Sequence, residues 1–121
     1  MNASAAPEEA PLRSSSCAKH FFGYNLENCY TLGDNCRLNF NTVTDQRDIE
    51  DTYLVAFHDA VERGGVSCLM CSYNAVNSVP SCANAWAMNT VARGDWGFDG
   101  YGIRSLYFSL SVSYIVTRQG C

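Results

Sequence analysis

The sequence predicts an α/β fold built on parallel strands. Short apolar runs of strand character alternate with segments of helical period, in the order strand, loop, helix, strand, loop, helix, strand. Both helical segments open on a capping residue and close at glycine, which bounds them independently of the apolar pattern. The alternation gives about two βα units plus a strand. That is too few to close a barrel, so the residue pattern alone allows a small open sheet or a section of something larger.

Residues 1–13 are rich in Ala, Pro and Glu without periodicity, and residues 1–16 read as a disordered or unrelated lead. A strand is expected near Ser16–Phe22. Residues 23–43, rich in Asn, Gly and Asp, read as a long loop, and a loop of that length is usually functional or disordered. The clearest helix follows. Thr44 can cap it, Asp45 and Asp48 suit the positive end of its dipole, and Ile49, Tyr53, Phe57 and Ala60 share one face. Gly64-Gly65 ends it. An apolar strand is expected at Val66–Tyr73, turn material from Asn74 to Pro80, and a second helix from about Asn84 to Arg93, with Asn84 as cap and Gly94 as stop. A third strand fits Gly100 to about Leu106. In the tail, residues 102–121, Leu110, Val112, Tyr114 and Val116 follow a strand-like period of two that continues no βα unit.

Composition narrows the functional class. Of 121 residues, 47% are apolar and 17% charged, a globular balance. The net charge is −4 and the eight basic residues are scattered, which argues against a nucleic-acid partner. The longest apolar stretch, Leu106 to Val116, is broken by serines and falls short of the ~20 residues of a membrane span. Met1 to Ser16 lacks the charged-then-apolar order of a signal peptide. Seven cysteines are many for a cytosolic protein and odd for a closed disulfide set. Free buried thiols would explain the count, as would a piece of a secreted protein, and the second is the expectation.

Lys19 and His20 stand where a strand runs into a polar loop, and the carboxyl ends of parallel strands hold ligands in α/β folds. An ammonium and an imidazole there can donate to sugar hydroxyls. Glu27 and Arg37, in the following loop, can accept from and donate to vicinal hydroxyls. Tyr73 ends the second strand and offers a ring face and a hydroxyl, while Asn74 and Asn77 can hold the next loop through bonds to backbone. Each also has a plain structural reading, as a solvated charge or a strand end. Cys68-x-x-Cys71 lies on a strand, where positions three apart face opposite sides, and no second pair or nearby His supports a metal site. Cys71 and Cys82 bracket the Asn-rich turn and can close it as a disulfide. His58, on the first helix, receives no role. No nucleophile-elbow, phosphate-loop or dinucleotide fingerprint is present.

Taken in order, Cys17-Ala18-Lys19-His20-Phe21, Gly23-Tyr24-Asn25-Leu26-Glu27-Asn28, Arg37-Leu38-Asn39-Phe40-Asn41, Val43-Thr44-Asp45-Gln46-Arg47-Asp48, the long run Met70 to Asn84, and Trp96-Gly97-Phe98-Asp99-Gly100-Tyr101 resemble the N-terminal barrel domain of glycoside hydrolase family 3, in its β-xylosidase branch. The resemblance covers residues 17–101. It implies a partial (β/α)8 TIM-type barrel, from a parent with a following α/β sandwich domain. It implies a retaining exo-β-glycosidase, expected to be a β-1,4-xylosidase of xylan or arabinan breakdown, that removes a terminal β-linked xylose, glucose or arabinose unit and needs no cofactor or metal. Lys19, His20 and Arg37 match groups that grip the terminal sugar, Tyr73 matches the tyrosine beside the nucleophile, and Glu27 lies in the segment shaping the pocket. The parent family is usually secreted.

The departures from the family pattern carry equal weight. Gly102-Ile103-Arg104-Ser105 stands where the family places its nucleophilic Asp, and no carboxylate follows Asp99. Ser78 replaces the usual Gly of a turn, and Cys29 the usual Trp after Glu-Asn. Retention uses two carboxyl groups ~5–5.5 Å apart, so this chain alone is expected to be inactive, an incomplete gene product or gene model. The alternatives are a non-catalytic sugar-binding remnant and a small disulfide-stabilised secreted interaction module.

Overall fold

The computed structural model describes residues 14–28 and 36–104. The expected lead and the alternating tail lie outside them. In chain order the elements are β1 (Cys17–Phe21), α1 (Cys36–Asn39), β2 (Asn41–Thr42), α2 (Gln46–Asp48), a π-turn (Ile49–Tyr53), α3 (Val55–Glu62), β3 (Cys68–Cys71), β4 (Ala75–Val76), β5 (Val79–Pro80), a 3-10 turn (Ser81–Ala83), a π-wound helix (Trp86–Asp95) and β6 (Tyr101–Arg104).

Strands β1, β3 and β6 form one parallel sheet in that order, with Cys17 opposite Cys68 and Cys68 opposite Tyr101. Each crossover between them carries helix, which a parallel pair requires. The fold is therefore α/β, as the alternation of elements predicts. A second small sheet pairs β2 parallel to β4 and β4 antiparallel to β5. The central strand β3 reads Cys-Leu-Met-Cys and is almost wholly buried, as a strand covered on both faces should be. Phe21, Phe22, Ile49, Leu54, Val76, Met88 and Val91 make the main core cluster. Val61, Leu69, Ala92 and Phe98 make a second one beside it. Phe21 is fully buried, with ring edges from Phe57 and Trp96 at 5.0 and 5.9 Å, and burial of such a side chain contributes roughly 1.5–3 kcal/mol.

Several boundaries differ from the sequence expectation for local reasons. Asp45, not Thr44, caps the first helix: its carboxylate accepts from the Asp48 N–H at 2.8 Å. The helix then widens, with Leu54 N–H bonding Ile49 O, and the extra residue per turn moves Leu54 into the core cluster of Ile49 and Val61 into the second cluster, while Tyr53, Phe57 and Ala60 are only partly covered. Gly65, at φ +57°, reverses the chain after it. Asn84 does hold the start of the second helix, its Oδ1 accepting from Ala87 N–H at 3.1 Å. Gly94 does not stop that helix, which runs to Asp95; the left-handed residue beyond it is Gly97. The loop expected over 23–43 contains α1 and β2, and the turn from Asn74 to Pro80 is a two-residue hairpin whose corner residues, Asn77 and Ser78, both have positive φ.

The two cysteines of Cys68-x-x-Cys71 take different partners. Cys17 and Cys68 are disulfide-bonded across β1 and β3, with Cα atoms 4.3 Å apart. Cys71 and Cys82 are bonded with Cα atoms 5.2 Å apart, which closes the hairpin against the end of β3. Cys36 is also disulfide-bonded. Among the described residues no group of three His, Cys, Asp or Glu side chains is placed to hold a metal ion, and no helix is long and apolar enough to cross a membrane.

Candidate functional site

The site stands at the carboxyl ends of β1 and β3. Lys19 and His20 lie in the second half of β1, and Tyr73 lies just beyond β3. The chain between them is shaped by a buried polar knot. Asn74 is fully buried, and its amide Nδ2 lies 3.0 Å from Ala75 O and 3.2 Å from Gly23 O and Thr42 Oγ1. Ser72 Oγ donates to Phe22 O at 2.8 Å, and Ser81 Oγ donates to Asn74 O at 2.8 Å. These bonds satisfy the Phe22 carbonyl and give Asn74 O and Gly23 O further donors beside Ser81 N–H and Thr42 Oγ1. They fasten the Phe22–Gly23 corner to the end of β3. Gly23 turns at φ +72°, where a Cβ would stand 3.1 Å from Val76, so the corner favours glycine.

From this corner Tyr24 projects between the candidate residues. Its ring centroid lies 4.8 Å from His20, 5.9 Å from Tyr73 and 6.1 Å from Phe40. His20 and Tyr73 are stacked at 5.9 Å. The Tyr24 hydroxyl donates to the Glu27 carboxylate, and Arg37 Nη1 donates to Glu27 Oε1 at 2.9 Å. His20, Tyr24, Glu27, Arg37 and Tyr73 therefore form one continuous group, with exposed Lys19 beside it. The sequence reading assigned no role to Tyr24. Its signal was its place three residues before Glu27, on a corner that only the folded chain swings back toward His20.

The electrostatics follow from the contacts. Burial lowers the pKa of His20 below its ordinary 6.5, and the Lys19 ammonium lowers it further, while Glu27 opposes the shift. Burial raises the Tyr24 phenol, and its bond to Glu27 raises it further. The bonds from Tyr24 and then Arg37 hold Glu27 below the ordinary glutamate value, and the same carboxylate raises Arg37. The group thus presents an imidazole whose burial favours the neutral form, one carboxylate engaged by an arginine and a tyrosine, and two tyrosine rings, with the exposed Lys19 side chain beside them. Such a set can donate to and accept from neighbouring hydroxyls while a ring face meets C–H groups. Glu27 is the carboxylate brought into this group, and it is already engaged from two sides.

Comparison with known proteins gives this geometry a family. Residues 11–117 match the model of the glycosyl hydrolase family 3 N-terminal domain. The chain is 46% identical over 93 residues to a probable β-D-xylosidase 6 of Arabidopsis thaliana, covering 77% of this chain and 11% of that protein. Among solved structures it resembles β-glucosidase 3B of Thermotoga neapolitana in complex with glucose, with a TM-score of 0.68 and 28% identity over 75% of this chain and 12% of the other. It also resembles a family 3 exo-β-xylosidase in complex with a xylobiose aziridine probe, with a TM-score of 0.66, 35% identity, and coverage of 74% and 11%. The chain therefore spans about one tenth of the length of the relatives it matches.

Proposed function

We infer the function from one premise: the chain belongs to glycosyl hydrolase family 3, through its N-terminal domain. Its three parallel strands and their helices are a section of a (β/α)8-type barrel, and the cluster at their carboxyl ends is part of the wall of a sugar subsite. In that role Lys19, His20 and Arg37 donate to hydroxyls of a terminal β-linked sugar, Glu27 accepts from one, and Tyr73 lies under the ring. The xylosidase branch, and with it a terminal xylose, is favoured by the similarity to plant and fungal β-xylosidases. The single observation that carries the reading is the convergence of His20, Tyr73, Arg37 and Glu27, through Tyr24, at one end of the parallel sheet. A disulfide-bonded section of this kind suits an oxidising compartment, so the parent is a secreted enzyme.

The 121-residue polypeptide binds sugar without cleaving it. Retention needs two carboxyl groups on opposite sides of the anomeric carbon. The cluster brings one carboxylate, and a carboxylate paired with arginine and bonded by tyrosine is a poor nucleophile. The purified chain, incubated with a chromogenic β-xyloside and β-glucoside, is expected to release no chromophore above a Lys19→Ala control. Release that depends on Lys19 would overturn the claim of inactivity.

A further inference from the structure

An open groove of about 320 Å³ lies between the first helical run and the Trp86–Asp95 helix. It shares no residue with the His20 cluster. Leu54 and Val91, both nearly inaccessible, line its apolar base, and both indoles of the chain, Trp86 and Trp96, stand half-buried along it. The edges are polar. Gln46 Nε2 donates to Glu50 Oε1 at 2.7 Å, which holds amide and carboxylate in one orientation, and exposed Asp95 faces the same space. His58 packs on Trp96 at 5.4 Å and is itself tied to Glu62 at 3.0 Å, so the Trp96 ring is backed on one side.

We propose that this groove is a second carbohydrate site, which takes a pyranose unit of a β-linked oligosaccharide. A pyranose presents flat C–H faces and hydroxyl edges. The groove presents indole surface over an apolar base and, at its edges, oriented amide and carboxylate groups that accept from and donate to hydroxyls. Its volume stands at the lower end of the ~300–1,000 Å³ of small-molecule sites. A cationic ligand is the other chemistry that indoles and carboxylates attract. Glu50 and Asp95 are exposed, however, and water weakens their hold on a bare cation. The choice of a sugar rests on the function proposed above; the site itself does not.

Trp86 and Trp96 are the chain's two tryptophans, so its indole emission reports this groove directly. Titrating the 121-residue chain with xylobiose is expected to change that emission saturably. The midpoint should shift at least five-fold upward in Trp86→Ala and in Asp95→Ala, and stay unchanged in Arg37→Ala. Should Trp86→Ala fail to fold, Asp95→Ala and Gln46→Ala, both at exposed positions, decide the matter. No saturable change, a change lost in Arg37→Ala but kept in Asp95→Ala, or a response to tetramethylammonium and not to xylobiose would each overturn the proposal. Failure of the His20 cluster to bind sugar would leave the indole signal intact, so the two readings fail separately.

Discussion

Replacing Asn74 by Asp changes one atom pair and tests how the fold holds its site. The Asn74 Nδ2 faces four oxygens, of Ala75 at 3.0 Å, Gly23 and Thr42 at 3.2 Å and Phe22 at 3.5 Å. Its two N–H groups are the donors for all of them. Aspartate puts an oxygen where every neighbour is an acceptor. A protonated carboxyl still donates once through its O–H, so one buried bond is lost at roughly 1 kcal/mol. Burial also disfavours the ionised form and raises its pKa. Each unit of that rise adds about 1.4 kcal/mol at neutral pH, so a rise of one to two units brings the cost to about 2–4 kcal/mol at pH 7.5. The sign follows from linkage: a folded carboxyl with a raised pKa holds its proton more tightly than the unfolded one, so stability falls as pH rises. Urea unfolding followed by tryptophan emission, at submicromolar protein and at pH 4.5 and 7.5, measures both values against the parent. Equal stability of variant and parent at both pH values, within about 0.5 kcal/mol, would refute the role given to the Asn74 knot.

Four further outcomes are expected. Ser78→Gly should stabilise the chain by roughly 0.5–1 kcal/mol in the same urea assay, because Ser78 sits at φ +70° in the hairpin corner, where a Cβ is strained; destabilisation would mean that the bond its hydroxyl accepts from Asn41 outweighs that strain. His20 should titrate below 6.5 by NMR and contribute stability that is complete above that ordinary value and lost as pH falls through its lowered one, since the unfolded imidazole binds the proton more readily. Arg37→Ala should move the Glu27 midpoint upward toward its ordinary value, by removing one of the two bonds that depress it; an unmoved midpoint would leave Tyr24 as its sole anchor. Light scattering should show self-association that rises with concentration, because β1 and β6 each leave one edge of the parallel sheet unpaired among the described residues.

Much of the scaffold was legible in the residues. The apolar run around Leu69 between glycine-bounded helices is enough to infer a buried strand in a parallel sheet, because only such strands are apolar on both faces. Asn84 was legible as a cap because its side chain acts on its own turn. The misses share a cause, which is dependence on tertiary contact. A π-turn at Ile49–Tyr53 moves the buried face toward Leu54 and Val61, and a period of 3.6 cannot register one extra residue. Gly94 looked like a stop, yet the helix continues through it to meet Trp96 N–H on Val91 O. At the candidate site, Lys19, His20, Arg37 and Tyr73 stand out by their places at strand ends and in the loop, and the family resemblance lends them roles, whereas Tyr24, which joins His20 to Glu27, becomes visible when Gly23 folds the loop back.

The central claim is that this section of the barrel grips a sugar through the His20 cluster. Titration of the chain with methyl β-D-xyloside, followed through the imidazole resonances of His20, tests it most directly. Saturable shifts at His20 that vanish in Arg37→Ala, while any shift at His58, which lines the separate indole groove, persists in that variant, are the predicted result. Shifts at His58 alone, or none at either imidazole up to the solubility of the glycoside, would contradict it.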